Sequence, residues 1–286
     1  MTKHILFPNQ IELLSVGDRI SEGIFKVHSR FNRVINFENN SKLVYLVNKD
    51  IGAGPINIVI EGFNFQKIIS LAINGESIFI NNIKLMVKEN IKYNSKIFFK
   101  DINIQKFRTN LNILESSLLC LFPQKSLAFL IEKKREINFS SGFEREFVKK
   151  IKAGVNEIHN GNLIKGIKMF KGSGFGFTPS GDDFITGLLL ALYINQEINS
   201  KDLSRTRNMV YEAAIGNNLI SNTFLYFAKE GLFFERFKNF VLSLLYEGEN
   251  RIYEYTRTLL TIGETSGADM LIGFLFTLKK EDEVWL

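Results

Sequence analysis

"SGFEREFVKKIKAGVNEIHNG", residues 141–161, is where the hydrophobic period of this chain becomes that of a helix. Phe143, Phe147, Ile151, Val155 and Ile158 recur at three- and four-residue intervals and fall on one stripe. Ser141 and Glu144 have the spacing of a capping box, and Gly161 suits the far end. Amphipathic patterns of the same kind follow near residues 202–216, 219–230, 234–247 and 249–262. Before about residue 110 the pattern is different. Short β-branched and aromatic runs, "KLVYLV", "INIVIEG", "ESIFI" and "SKIFF", are separated by Asn and Gly clusters that read as turns. The expected class is α+β: a β-rich, barrel- or sandwich-like domain over residues 1–110, then an all-helical domain over 111–286.

Composition agrees with a folded, globular chain. With 286 residues, 45% of them hydrophobic, it can bury one large core or two moderate ones. The longest apolar stretch, residues 184–194, is interrupted by Thr186 and Gly187 and is shorter than the roughly 18–20 residues a bilayer span needs. No transmembrane helix and no membrane partner are expected. "MTKHILFPNQIELLS" has too short an apolar run for a secretory signal, so a cytoplasmic location is expected. The single cysteine, Cys120, has no partner for an internal disulfide and is read as a buried, inert thiol. The three scattered histidines have no metal-ligand spacing.

The net charge of +6 arises in the first part of the chain. Residues 1–110 hold 15 Lys and Arg against 9 Asp and Glu, whereas residues 111–286 hold 21 of each. Lys84, Lys88, Lys92, Lys96 and Lys100 recur every four residues, but Asn90, Asn94 and the Ile97, Phe99 alternation favour strands and turns over a lysine-faced helix. A solvated face or a docking surface for an acidic partner is the favoured reading. No nucleic-acid-binding signature accompanies the charge.

The helical part carries a repeated motif. "TPSGDDFITG" (178–187) aligns with "ETSGADMLIG" (264–273), so that Ser180, Gly181, Asp183 and Gly187 match Ser266, Gly267, Asp269 and Gly273. Both copies lead into apolar runs and read as helix starts, each with its serine as N-cap and its aspartate returning a bond to that serine's N–H. Gly187 and Gly273 lie on the same face as the aspartates, where a missing side chain lets a helix or a ligand approach. Phe184, Ile185, Leu188, Leu189 and Leu192 are ordinary core positions.

A helix N-terminus offers unpaired N–H donors and about half a positive charge, which suits phosphate or carboxylate. Gly172, Gly174 and Gly176 allow a backbone cradle for such an anion, and Thr178, Ser180, Thr265 and Ser266 add hydroxyls. Asp182 and Asp183 run against an anion site, and three resolutions stand open. Asp183 caps its helix, Asp182 faces a Mg²⁺ that bridges to the ligand, or either orients a substrate amide. The spacing is neither that of a Walker loop nor that of a dinucleotide fingerprint. Elsewhere, "GNNLISNTFLYFAKEG" places Asn217, Asn218, Ser221, Asn222 and Thr223 at a further helix start, read as capping with amides available to a pocket. "GAGPINIVIEG" reads as a turn at Gly52, Gly54 and Pro55 entering a strand. "SRTR" (204–207) is a chance string in a helix, with Arg205 and Arg207 read as surface charges.

"GSGFGFTPSGDDFITGLLLAL" followed some eighty residues later by "IGETSGADMLIGFL" resembles the family of the AllH-type subunit of oxamate carbamoyltransferase, and the "GAGP" turn fits it too. Phe175, Phe177 and Glu264 depart from the residues frequent there. The resemblance implies carbamoyl transfer between oxalurate and phosphate in purine-derived nitrogen catabolism, with other protein subunits required. It leaves two readings. In the first, Asp182, Asp183 and Asp269 are catalytic, and Gly174, Gly176, Thr178, Ser180, Gly181, Thr265, Ser266 and Gly267 bind a small anionic substrate. In the second, the chain is a non-catalytic assembly subunit. A Mg²⁺-dependent phosphotransferase is a weaker third, and no other cofactor is implied.

Overall fold

The computed structural model describes residues 11–62 and 64–279; the first ten residues, which open the stretch read against a secretory signal, lie outside them. The described chain divides into two compact units. One runs to Lys96 and includes Phe233–Glu235, and the other takes Ile97–Leu232 and the residues from Arg236 onward.

The first unit is a single eight-stranded sheet, nearly closed into a barrel. Its strands are β1 (Glu12–Val16), β2 (Gly23–Arg30), β3 (Val34–Asn39), β4 (Lys42–Asn48), β5 (Asn57–Glu61), β6 (Leu71–Asn74), β7 (Ser77–Ile80) and β8 (Ile83–Met86). Their order is β1-β5-β4-β3-β2-β6-β7-β8, antiparallel except for the β4–β5 pair. Alternation sends Ile35 and Phe37, Val44 and Leu46, and Ile58 and Ile60 into one core with Leu71, Ile78 and Ile80. β2 turns the corner: Gly23–Phe25 pair with β6, Lys26–Arg30 pair with β3, and a bulge between Val27 and Ser29 bends it. Past β8, Lys92 bridges to Val16 at the end of β1, and Tyr93 N–H donates to the Val16 carbonyl at 2.8 Å. The "GAGP" turn leads into β5, and Ala53 N–H donates to Glu235 Oε2 at 2.6 Å. The lysine-rich stretch forms β8 and turns, and Lys92 pairs with Glu89.

The second unit is helical among its described residues: α1 (Ile104–Leu118), α2 (Gly142–His159), α3 (Leu163–Phe170), α4 (Ser180–Asn199), α5 (Ser204–Ala214), α6 (Leu219–Lys229), α7 (Glu235–Tyr246), α8 (Glu249–Leu259) and α9 (Ser266–Leu278). The Ser141–Glu144 capping box opens α2, and Gly161 follows its end at φ +82°. Phe147, Ile151, Val155 and Ile158 are buried as the stripe predicts, while Phe143 is exposed and meets the Phe175 ring edge-on. α4 is buried on all sides over its first thirteen residues, the signature of a central helix, and packs along α9. No helix among the described residues is long and apolar enough to cross a membrane.

Several expectations fail, and the "SKIFF" run (95–99) forms no strand. Cys120 is exposed, because the 3-10 turn Leu119–Leu121 ends the α1 pattern and turns the thiol outward. Arg205 is exposed, but Arg207 is only 8% exposed. The Arg207 guanidinium donates to the Lys229 carbonyl and to Gln196 Oε1 (3.1 Å), and it lies 5.1 Å from the Tyr193 ring centre. These partners occupy both terminal nitrogens of a buried cation that sequence alone places at the surface, and Nε is left without a hydrogen-bond partner.

Candidate active site at the paired helix starts

The two Ser-Gly-x-Asp copies start α4 and α9, which run parallel and side by side. Neither serine is the N-cap. Pro179 and Thr265 hold those positions and make no side-chain capping bond. Their carbonyls accept the first helical bonds, from Asp183 N–H (3.0 Å) and Asp269 N–H (2.8 Å). Ser180 stands in the first turn behind an extended Pro179 (φ −63°, ψ 141°), and Ser266 does so behind Thr265 (φ −131°, ψ −12°).

The copies also share their approach. Gly181 N–H donates to the Ser173 carbonyl (2.8 Å), and Gly267 N–H donates to that of Ile262 (3.0 Å). A Cβ on Gly181 would stand 2.2 Å from the last carbonyl of α3, on Phe170, and one on Gly267 2.1 Å from the last carbonyl of α8, on Leu259. Each motif is thus a helix, a loop and a second helix whose glycine rests on the end of the first. The loop of the first copy is longer, and Gly172, Gly174 and Gly176 in it all take positive φ. Gly174, at φ +127°, would place a Cβ 2.4 Å from the Ser180 nitrogen, so no other residue fits there without displacement.

The side chains of the two copies meet. Thr178 Oγ1 donates to Asp183 Oδ2 at 3.1 Å and lies 3.1 Å from Ser266 Oγ. Thr178 and Ser266 are partly exposed, whereas Asp183 behind them is buried. Asp269, fully buried, accepts from the Leu127 N–H with Oδ1 (2.6 Å), and no donor meets the hydrogen-bond geometry at Oδ2. Asp182 Oδ1 accepts from the Gly172 N–H at 2.7 Å, tying the glycine loop back to the helix it precedes. The structure therefore joins Thr178, Asp183, Ser266 and Asp269, and turns Asp182 toward the loop.

All three carboxyls are pushed toward their protonated forms. For Asp183 the cause is burial and then the charge of Asp269, with the Ser266 and Thr178 hydroxyls opposing. Burial raises Asp269 to about 7, against the Leu127 N–H and the nearby hydroxyls of Ser180 and Thr265. Asp182 is raised by burial, partly offset by the Gly172 N–H, the neighbouring Ser221 hydroxyl and the Lys171 charge. Asp269 can therefore exchange a proton near neutral pH, beside two helix starts that favour negative charge. Among the described residues no three His, Cys, Asp or Glu side chains gather as a metal-binding group.

One contributor, Leu127, escapes the sequence reading, and a second, Asn218, is read there with its amide available to a pocket. Leu127 acts through its backbone, for which no residue pattern exists, while Asn218, read as a cap, also donates to the Phe177 carbonyl at 2.6 Å.

No solved structure matches the chain. A family model described as "Oxamate carbamoyltransferase subunit AllH" matches residues 170–278, which span both motifs, and one described as "AllH family N-terminal domain" matches residues 10–104. Between them they cover most of the sequence, and the chain belongs to the AllH family of oxamate carbamoyltransferase subunits.

Proposed function

We propose that this chain contributes the anionic-substrate site of an oxamate carbamoyltransferase, acting with other protein subunits in the cytoplasm to degrade purine-derived nitrogen. One observation carries the reading beyond family membership: Thr178 reaches Asp183 and Ser266 together, at the partly exposed starts of two parallel helices. In the proposed reaction a phosphate oxygen attacks the carbamoyl carbon of oxalurate, and the C–N bond then breaks to give carbamoyl phosphate and oxamate. The loop backbone at Gly174 and Gly176 and the hydroxyls of Thr178, Ser180, Thr265 and Ser266 hold the anion and the developing oxyanion, while Gly181 and Gly267, whose N–H groups are already bonded to the Ser173 and Ile262 carbonyls, let the helix starts pack closely behind them. The departing oxamate nitrogen takes up a proton, which a carboxyl of the Asp183–Asp269 pair supplies, with Asp182 supporting the loop. Carboxyls held neutral by burial also relieve the repulsion that ionised aspartates would exert on an anion.

A second reading has its own support. Gly181, Gly187, Gly267 and Gly273 all lie against backbone, so packing alone accounts for their lack of side chains. In that reading the chain is an assembly subunit and the substrate site lies on its partners. Thermal unfolding with phosphate, carbamoyl phosphate, oxalurate, oxamate and Mg²⁺-ATP separates the two. Saturation at a hundred times Kd adds about 2.7 kcal/mol, a shift of several degrees. A shift with carbamoyl phosphate or oxalurate that Asp183→Asn removes supports the site, a shift with Mg²⁺-ATP alone supports phosphotransfer, and silence throughout favours the assembly role.

A further inference from the structure

Residues 216–222, "GNNLISN", do more than cap a helix. Asn218 Oδ1 accepts from the Ile220 N–H (3.0 Å) and the Ser221 N–H (3.1 Å), which satisfies the start of α6 and leaves the Nδ2 group for another role. Nδ2 donates to the Phe177 carbonyl at 2.6 Å, one residue before Thr178. At the other end of the same loop, Lys171 Nζ donates to the Ile215 carbonyl at 2.9 Å. The connector between α5 and α6 is braced in turn by Asn222, whose side chain accepts from the Gly216 N–H (2.9 Å) and donates to the Gly216 carbonyl (2.8 Å). Both ends of the glycine-rich loop are therefore fastened to one short, stiffened connector. Between those ends, three glycines with positive φ give the loop little conformational preference of its own, so its external ties decide where it rests.

We infer that Asn218 is a positioning residue: by holding the Phe177 carbonyl it sets where the Thr178 hydroxyl meets Asp183 and Ser266, and so governs anion binding at the paired motifs. The binding half of this inference rests on the site proposed above; the positioning half does not.

The test uses Asn218→Ser and Asn218→Asp in the full chain. Ser and Asp cap helices about as well as Asn, so α6 keeps its cap and the unfolding temperature stays within about 2 °C of wild type. Aspartate has no donor for the Phe177 carbonyl, and the shorter serine does not reach it while capping. The serine variant also controls for the charge that aspartate adds near an anion. Amide hydrogen exchange of residues 174–178, without ligand, is expected to accelerate several-fold to about tenfold in both variants, while the amides of residues 223–229 keep their rates. The apparent Kd for carbamoyl phosphate is expected to weaken by a similar factor. Unchanged loop exchange in both variants overturns the positioning role. Faster exchange with unchanged Kd overturns its link to binding. If wild type binds none of phosphate, carbamoyl phosphate or oxalurate, the proposed site and the binding link fall together, and loop exchange still decides what Asn218 holds.

Discussion

Gly187 of α4 and Gly273 of α9 each lie against the backbone of the other helix. A Cβ on Gly187 would stand 1.8 Å from the Met270 carbonyl oxygen, and one on Gly273 would stand 2.0 Å from that of Phe184. The contacts are reciprocal: each glycine meets the residue that follows the aspartate of the other copy. This close approach brings the two helix starts near enough for Thr178 to touch both motifs, so packing in the helical unit and the geometry of the site have one cause.

Gly187→Ala is therefore expected to cost about 3 kcal/mol or more, at the upper end for overpacking, because backbone on a buried helix must move. Gly142→Ala is the control. Its Cβ meets open space, and the better helix former should leave stability unchanged or raise it by up to about 1 kcal/mol. Urea unfolding of both variants checks this, and an unaffected Gly187→Ala protein would show that the helices are not held at this distance.

The pH dependence of stability follows from the buried carboxyls. Asp269 is raised to about 7 in the folded chain, above its ordinary carboxylate value, so the folded state binds the proton more tightly. Its stabilising contribution is complete below pH of about 4 and is lost as pH rises through about 7. Asp183, raised by burial and by Asp269, acts in the same direction. Asp269→Asn keeps an oxygen for the Leu127 N–H without a titrating charge. Relative to wild type it should gain on the order of a few kcal/mol between pH 5 and pH 8, read as the difference between denaturant profiles. Parallel profiles would rule out a proton on this group.

Arg207 offers a contrast between adjacent surroundings. Arg207→Met removes the donors to the Lys229 carbonyl and Gln196 and the cation facing Tyr193, and should cost about 2–4 kcal/mol. Arg205→Met, on the exposed side, should stay within about 0.5 kcal/mol. Neither change should alter the response to phosphate, whose loss in Arg207→Met alone would give the "SRTR" string a role in binding.

Patterns with a short physical range were legible in the sequence. The β runs "KLVYLV" and "INIVIEG", the α2 capping box and the paired motifs all depend on neighbours within one turn or one pleat. The burial of Arg207 depends on where α4 and α6 lie, and no local period encodes that. Both serine caps failed by one position, with Pro179 and Thr265 at the N-caps instead, although the motif's position at a helix start was correct. The Leu127 N–H is invisible to any reading of side-chain types, because every residue except proline carries the same donor.

The hydroxyl bridge gives the most direct test of the site. Thr178→Val preserves shape and β-branching but removes the bond to Asp183 Oδ2 and the contact with Ser266 Oγ, whereas Thr178→Ser keeps the hydroxyl. Because Thr178 is partly exposed, the stability cost of valine should be small, about 1 kcal/mol. The response to carbamoyl phosphate should instead fall sharply, since the hydroxyl that joins the two motifs is lost. Serine should restore most of it. Isothermal titration of the three proteins decides the matter: retained affinity in Thr178→Val would mean that the bridge only joins two helices, and a loss that serine rescues would identify the hydroxyl as a ligand contact.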